Sequence, residues 1–185
     1  PCINAAGRLE TATTAVSLFC EEVPEKAREY ALTLIEQNES RKQMTEKATE
    51  KVIEELKSKP LDKVLVLFQE NIQESIAGIV AGRIKEIFYR PTILITKAEN
   101  AAKGSGRSIE GYHMFEELYA CKELFIKFGG HPMAAGLSLK EENLSLFCQA
   151  LNQNCTLQPE DYICKRWIDV PMPFSYITKE LIQEF

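Results

Sequence analysis

Histidine is scarce in this sequence, which contains only His113 and His131 among its 185 residues. The six cysteines are scattered, and no two of them form a Cys-x-x-Cys pair of the kind found in zinc and redox sites. We interpret them as reduced thiols. Two histidines without a neighbouring cluster of aspartates cannot assemble a two-metal phosphoesterase site. The sequence therefore predicts no metal centre within this chain.

Long apolar runs are also absent. No segment is long enough to cross a bilayer, and the N-terminal PCINAAGR has neither the basic nor the apolar region of a signal peptide. A cytoplasmic protein without a membrane partner is the expectation. The chain begins without Met and ends at Phe185 within an apolar-periodic segment, so we expect it to be a piece of a larger protein.

Two catalytic motifs are missing as well. The G-x-x-x-x-G-K-[ST] order does not occur, which excludes a P-loop. The G-x-S-x-G nucleophile elbow is absent too, and no acidic residue is marked out to orient an imidazole. A serine hydrolase built from Ser105 and His131 is therefore disfavoured.

Charge is distributed unevenly along the chain. The net charge of −5 argues against a protein coated in positive charge for gripping duplex DNA. Two segments nevertheless lack acids: residues 100–109 carry Lys103 and Arg107, and residues 124–139 carry Lys127 and His131. Basic charge is thus local to the glycine-containing segments, as a phosphate pocket requires.

The apolar pattern predicts an α/β fold with a mixed sheet and helices. KVLVLF from Lys63 and TILIT after Pro91 indicate buried strands, and the helix between them begins near Ser75. Such a βαβ unit has parallel strands and a right-handed crossover. We expect further strands over 106–109 and 134–139, and helices over about 112–121 and 143–153, with FGGH as a loop.

The flanking segments differ in character. NAAGRL indicates a turn, and a short helix follows over about residues 12–20. A long helix begins at Pro24, because no further proline or glycine occurs before Pro60; its weak apolar stripe suits a solvated connector between domains, with a charged surface helix as a close alternative. Beyond Leu157, YICKRWIDV resembles a strand, and Ser175 is placed to cap a helix.

The segment KGSGRS concentrates groups that bind phosphate. Glycine-containing turns direct N–H groups at anions, hydroxyls donate to phosphate oxygens, and arginine engages phosphate bidentately. Its candidate phosphate-binding residues are Lys103, Gly104, Ser105, Arg107 and Ser108. The competing interpretation is a solvated hairpin tip.

The segment FGGHPMAAG presents a histidine among residues with little bulk. Pro132 biases His131 toward an extended conformation, and Gly129 and Gly130 free the approach to its ring. The two basic, glycine-bearing loops could converge on one phosphate. We interpret His113, which has no such setting, as structural.

Taken together, these segments resemble the RecJ family of single-strand-specific DNA exonucleases. The resemblance covers most of residues 1–155 and rests on motifs in the same order and spacing: PCINAAGRLETA, GIVAGRI, YRP, KGSGRSI and FGGHPMAAGLSL. The pattern departs from the family at Cys2, where arginine is common, and over residues 71–74, where a histidine is common.

The resemblance implies a division of the chain into four parts. These are the end of a DHH catalytic domain at 1–22, a long linker helix at 23–60, a DHHA1 domain at 61–156, and the β-rich start of an OB-fold-like domain at 157–185. The family's DHH domain binds Mn²⁺ or Mg²⁺ through ligands that lie upstream of Pro1. The upstream DHH domain and single-stranded DNA are therefore the implied partners.

The resemblance also implies roles for individual residues. Arg107 and His131 are the residues expected to act on the scissile phosphate. Positions matching the family's phosphate contacts are Ser105, Arg107 and Ser108 in one loop, Gly129, Gly130 and His131 in a second, and Asn4 and Arg8 in the turn that closes the catalytic domain.

The expected function is the DNA-binding part of a 5′-to-3′ single-stranded-DNA exonuclease that acts in DNA repair and recombination. The piece alone is expected to be inactive. One alternative is part of a DHH phosphoesterase for oligonucleotides, cyclic dinucleotides or phosphoadenosine phosphate. Another is a non-catalytic nucleic-acid-binding module.

Overall fold

The computed structural model describes residues 2–184, which form helices around one five-stranded sheet. The α-helices are α1 Cys2–Leu9, α2 Thr13–Cys20, α3 Pro24–Lys57, α4 Glu74–Phe88, α5 Met114–Tyr119, α6 Leu144–Asn154 and α7 Lys179–Glu184. The strands are β1 Leu65–Phe68, β2 Thr92–Lys97, β3 Ala102–Arg107, β4 Phe125–His131 and β5 Ala134–Leu139. The predicted α/β class is confirmed.

The sheet is mixed, with strand order β1-β2-β3-β5-β4. Strands β1 and β2 are parallel and α4 joins them, so the predicted βαβ unit is confirmed. The other neighbouring pairs are antiparallel, and β5 lies between β3 and β4. The predicted strand at 134–139 and the helix near 143–153 are confirmed as β5 and α6.

Apolar cores cover the two faces of the sheet unequally. One face packs under α5 and α6, where Met114, Phe147 and Leu151 are fully buried. On the other face, α4 packs against β2 and β3 and buries Val80 and Ile84. Helix α4 does not extend over β5 and β4, so that part of the second face is open to solvent.

Helix α3 connects two separate cores. At about 1.5 Å per residue it is roughly 50 Å long. Its first half buries Leu34 against α1 and α2, and its last turns bury Val52 and Leu56 against α4. The middle of the stripe is polar and buried, and the hydroxyls of Thr45 and Thr49 donate to helix carbonyls four residues earlier. The long helix is therefore confirmed.

Three segments predicted as turns or loops are regular structure instead. NAAGRL lies within α1, KGSGR within β3 and FGGH within β4. The strand expected over 106–109 ends at Arg107 and begins earlier, at Ala102. In the two strands β3 and β4, hydrogen bonds to neighbouring strands override the low strand propensity of glycine. Among the described glycines, the one with positive φ is Gly111, which lies in neither strand.

The C-terminal segment holds no strand within residues 157–184, so the predicted strand over YICKRWIDV is wrong. The segment contains two 3-10 turns and α7, and Trp167 is 84% exposed. A strand requires a partner, and none of the described residues pairs with this segment. The cap of α7 is Thr178, whose hydroxyl accepts from the Leu181 N–H at 3.2 Å, rather than Ser175. Phe185 lies outside the described residues.

None of the helices within residues 2–184 combines the length and apolar character needed to cross a membrane.

Adjacent glycines of β4 are expected to respond oppositely to substitution. A Cβ on Gly130 would lie 2.6 Å from the Ala135 Cα, which is backbone and cannot yield easily, whereas nothing lies within 4 Å of a Cβ on Gly129. We expect Gly130→Ala to lower the free energy of unfolding by about 1–3 kcal/mol. Gly129→Ala leaves it unchanged or raises it by up to about 1 kcal/mol. Urea denaturation measures both, and equal midpoints would contradict the close approach.

Candidate nucleic-acid interface

The open part of the sheet carries three cross-strand rows of residues on one face. Residues directly opposite each other on antiparallel strands share a face, and every second residue of a strand points to it. The register on either side of β5 therefore defines an arginine row, a glycine row and a lysine row. In the order β3, β5, β4 these are Arg107–Ala134–His131, Ser105–Gly136–Gly129 and Lys103–Ser138–Lys127.

The glycine and lysine rows line a groove of about 530 Å³ beside α4. The arginine row continues the same face of the sheet beyond this groove. The middle residue of each row, on β5, is alanine, glycine or serine, so the floor is low along its centre. Nothing lies within 4 Å of a Cβ built on Gly129 or Gly136. Neither glycine is therefore required by packing or by backbone conformation, and both leave room for a molecule to lie flat on the sheet.

Arg107 is half-buried against Gly78 of α4, at the end of β3 beyond the groove. A Cβ on Gly78 would come within 2.6 Å of the Arg107 Nη2 and 2.8 Å of the Ser105 Oγ. The guanidinium donates from Nη1 to the Gly106 carbonyl at 2.7 Å and to the Ser105 Oγ at 3.3 Å. None of the ion pairs within residues 2–184 includes Arg107. Its charge is therefore available to an anion.

A second arginine approaches this end from α1. Burial, and then the nearby charge of Arg8, lower the pKa of the Arg107 guanidinium from its ordinary value. Arg8 itself donates to the Ser75 carbonyl at 2.8 Å, which ties α1 to the start of α4. Two like charges held close together favour a bound anion, which reduces their repulsion. Asn4 lies one turn before Arg8, and both line a separate hollow of about 550 Å³ between α1 and α2.

His131 ends β4 with its proton on the outer ring nitrogen. The Met133 N–H donates to Nδ1 at 3.3 Å, so the neutral ring carries its proton on Nε2, which is free to donate to a ligand. Two backbone hydrogen bonds hold the turn that follows His131. The Pro132 carbonyl accepts from the Met114 N–H, and the Met133 carbonyl accepts from the Ser108 N–H, each at 2.9 Å. The His131 ring therefore lies next to a turn whose backbone is held by hydrogen bonds.

Arg107 and His131 belong to the same row, with Ala134 between them. Two steps between strands separate their Cα atoms by about 10 Å. The intervening alanine has no side chain beyond Cβ, so no bulky group of β5 separates the two residues. The sheet therefore brings the two residues predicted to act on phosphate into one row.

Three of the predicted site residues are directed away from the groove face of the sheet. Ser108 is 1% exposed, and its hydroxyl donates to the Tyr112 carbonyl at 2.6 Å. Gly104 and Gly130 belong to the opposite face by strand alternation. Gly104 therefore contributes only backbone to the groove, and Ser108 acts through its N–H on the Met133 turn.

Reasoning from the sequence placed Lys127 in a basic segment and named Lys103 as a candidate site residue, but it did not identify Ser138 or the row that joins these three residues. Lys103 forms an ion pair with Glu74 of α4, with Nζ and Oε2 2.7 Å apart, and both residues line the groove. Lys127 is exposed and belongs to no ion pair within residues 2–184. The signal that places Lys127 on the same face as His131 is the alternation of side chains along β4. This alternation becomes visible only once FGGH is assigned to a strand.

His113 has a structural role. Its Nδ1 accepts from the Glu116 N–H at 3.2 Å and so caps α5, as the sequence suggested. The side chains that bind divalent ions are dispersed. Among residues 2–184, no three His, Cys, Asp or Glu side chains are grouped so as to hold a metal ion. The described residues therefore offer no ligand set that fits a catalytic metal.

Comparison with protein families matches residues 61–156 to the DHHA1 domain. Over its whole length the chain is 38% identical to the single-stranded-DNA-specific exonuclease RecJ of Bacillus subtilis (strain 168), covering 24% of that protein. It is 35% identical to the protein of the same name from Escherichia coli (strain K12), over 99% of this chain and 34% of the relative. The chain thus spans a quarter to a third of these curated relatives.

Solved structures of RecJ also resemble this chain. RecJ from Thermus thermophilus, crystallised with Mg²⁺, superposes with a TM-score of 0.76 at 29% identity, over 83% of this chain and 24% of that chain. The same protein crystallised with Mn²⁺ also gives a TM-score of 0.76. The fold and the order of elements described above are therefore shared with that protein.

Because α4 lies so close to Arg107, a methyl group added to α4 at Gly78 is expected to change ligand binding. Gly78→Ala places a Cβ against the guanidinium, and because the end of a side chain yields more readily than backbone, we expect Arg107 to be displaced rather than the fold disrupted. Affinity for single-stranded oligothymidylate should fall on the order of tenfold, as expected for a lost charge-assisted contact. Fluorescence anisotropy measures it.

Gly82→Ala is the matched control, since nothing lies within 4 Å of a Cβ there. We expect Gly82→Ala to keep the original affinity. Equal affinities of the two variants would mean that Gly78 does not position Arg107.

Proposed function

The chain belongs to the DHHA1 domain family, and from that premise we propose that it is the part of a single-stranded-DNA-specific exonuclease that holds the backbone of the strand being degraded. The observation that carries this proposal is the set of three rows, two of which place basic side chains on either side of a small residue of β5. Phosphate contacts supply most of the affinity of proteins that bind nucleic acid without regard to sequence. A shallow groove with glycine residues at its floor and basic side chains along it suits contacts with the phosphates of a strand.

The arginine row is the proposed contact with the phosphate that undergoes hydrolysis. Arg107 and the neighbouring Arg8 supply positive charge, and the Nε2–H of His131 donates a hydrogen bond to a phosphate oxygen. Groups fixed before the reaction stabilise the charge that develops on the phosphate without reorganising. The held turn after His131 and the packing of Arg107 against α4 provide that preorganisation.

The divalent metal is proposed to lie in another part of the longer protein. The neighbouring RecJ structures contain Mg²⁺ or Mn²⁺, whereas the described residues of this chain offer no cluster of ligands. Such an ion would activate water and stabilise charge on the attacked phosphate. This chain would hold the phosphodiester in place beside it, so the piece alone is proposed to be inactive.

We propose the same division of the chain as the sequence suggested. Residues 1–22 end a DHH catalytic domain, 23–60 are the linker helix, 61–156 are the DHHA1 domain, and 157–185 start a domain of OB-fold type. The limits of the family match support the third part, and the span of α3 supports the second. The exposed apolar residues beyond Leu157, including Trp167 and Phe174, support a continuation that covers them.

The proposed biological setting is 5′-to-3′ digestion in DNA repair and recombination, in the cytoplasm. The names of the relatives support the strand specificity. Polarity and setting come from the family resemblance alone. The small-substrate alternative would appear as a preference of the longer protein for dinucleotides over long strands.

Removing either end of the arginine row should impair turnover. In the longer protein that contains this chain, we expect Arg107→Ala and His131→Ala each to reduce the rate on single-stranded DNA by about 10²-fold or more, since each removes a donor to the reacting phosphate. A gel assay of end-labelled strands measures the rate. Lys97→Ala, which lies on the opposite sheet face, is the control and should keep the original rate. Unchanged rates in both groove variants would refute the proposal.

The chain by itself should bind without cutting. We expect it to bind oligothymidylate, with no hydrolysis in the presence of either Mn²⁺ or Mg²⁺, because it offers no ligand cluster within the described residues. Anisotropy and a cleavage assay on the same sample measure the two properties. Metal-dependent cleavage that co-purifies with the chain would contradict the assignment of the metal to another part.

A further inference from the structure

The lysine row lies too far from the arginine row to share a phosphate with it. Four residues of β5 separate Ala134 from Ser138, or about 13 Å at roughly 3.3 Å per residue. The glycine row lies between them and leaves the floor clear. The arginine row and the lysine row therefore mark two separate positions along one face of the sheet.

The lysine row has the composition of an anion site. Lys103 and Lys127 approach from the two strands that flank β5, and Ser138 lies between them with a hydroxyl group. All three residues line the groove. Two ammonium groups and one hydroxyl can donate hydrogen bonds to different oxygens of a single phosphate.

We propose that Lys103, Ser138 and Lys127 form a second phosphate subsite, which holds a further phosphate of the strand whose reacting phosphate lies in the arginine row. This inference rests on the proposed function, since it takes the ligand to be single-stranded nucleic acid. The clear floor between the rows accommodates the sugar-phosphate backbone that joins the two phosphates. The subsite makes the groove selective for strands over mononucleotides.

Glu74 moderates the affinity of this subsite. Its carboxylate lies 2.7 Å from Lys103 and lines the same groove. A phosphate that enters the row competes with Glu74 for Lys103 and is repelled by the carboxylate. Lys127 carries no such partner within the described residues, so it makes the larger contribution to phosphate binding. We therefore expect the lysine row to bind phosphate with lower affinity than the arginine row. A weakly held phosphate can leave the subsite, which allows the strand to advance.

The test compares a ligand that spans both rows with one that occupies a single row. The ligands are an oligothymidylate of about eight nucleotides, within the site sizes of single-strand-binding folds, and thymidine 5′-monophosphate. The variants of the full chain are Lys127→Gln, Arg107→Gln and Glu74→Gln. The control is Lys97→Gln, since Lys97 pairs with Ala102 and so points to the other face of the sheet.

We expect Lys127→Gln to weaken oligothymidylate binding about tenfold and to reduce its salt slope by about 0.7. Binding of the monophosphate should not change, and Glu74→Gln should tighten oligothymidylate binding. Arg107→Gln should weaken both ligands, and Lys97→Gln neither. Thermal unfolding of each variant checks that the fold is intact.

The outcomes separate the two proposals. If Lys127→Gln leaves oligothymidylate binding unchanged while Arg107→Gln weakens it, the second subsite is refuted and the proposed function stands. If Lys127→Gln weakens the monophosphate equally, the groove holds one site, and the inference is also refuted. If neither variant weakens oligothymidylate binding, the proposed function fails together with the inference.

Discussion

The small size of the outward side chains on β5 is the constraint on which the groove depends. Ala134, Gly136 and Ser138 occupy the centres of the three rows, so the basic side chains of the arginine and lysine rows are separated only by small residues. A larger residue at any of these positions would fill the space where the proposed phosphates lie. The opposite side of β5 is ordinary core, where Leu137 and Leu139 are buried beneath α5 and α6. One strand thus supplies both the core and the site.

Helix α4 determines where the groove begins. Its small residues let it approach β3 so closely that Gly78 contacts the guanidinium of Arg107, and its N-terminal residue Glu74 reaches Lys103. The helix therefore restrains both cationic residues of β3, one by packing and one by charge. Within the described chain, α5 packs against the other face of β4, and Lys127 and His131 on the groove face remain exposed. The two sides of the groove therefore differ in how far their basic side chains are restrained by neighbours.

Much of the fold could be predicted from local pattern. The βαβ unit, α3 and α6 follow from apolar periodicity and from proline positions, and these are the elements with long unambiguous stretches. The glycine-rich strands could not be recognised, because their strand character comes from neighbours that are distant in sequence. Arg107 and His131 were found as chemically suitable residues. Lys127 and Ser138 were not, because only the register of three strands brings them to the same face.

The turn after His131 has a further consequence. Its Met133 carbonyl is hydrogen-bonded to the N–H of Ser108, the residue that follows Arg107 in the chain. The two proposed contacts to the reacting phosphate are thus linked by a single backbone hydrogen bond as well as by the sheet. Any displacement of these strands would therefore carry the residues that bear the imidazole and the guanidinium together. The spacing of their backbones would be preserved during such a movement.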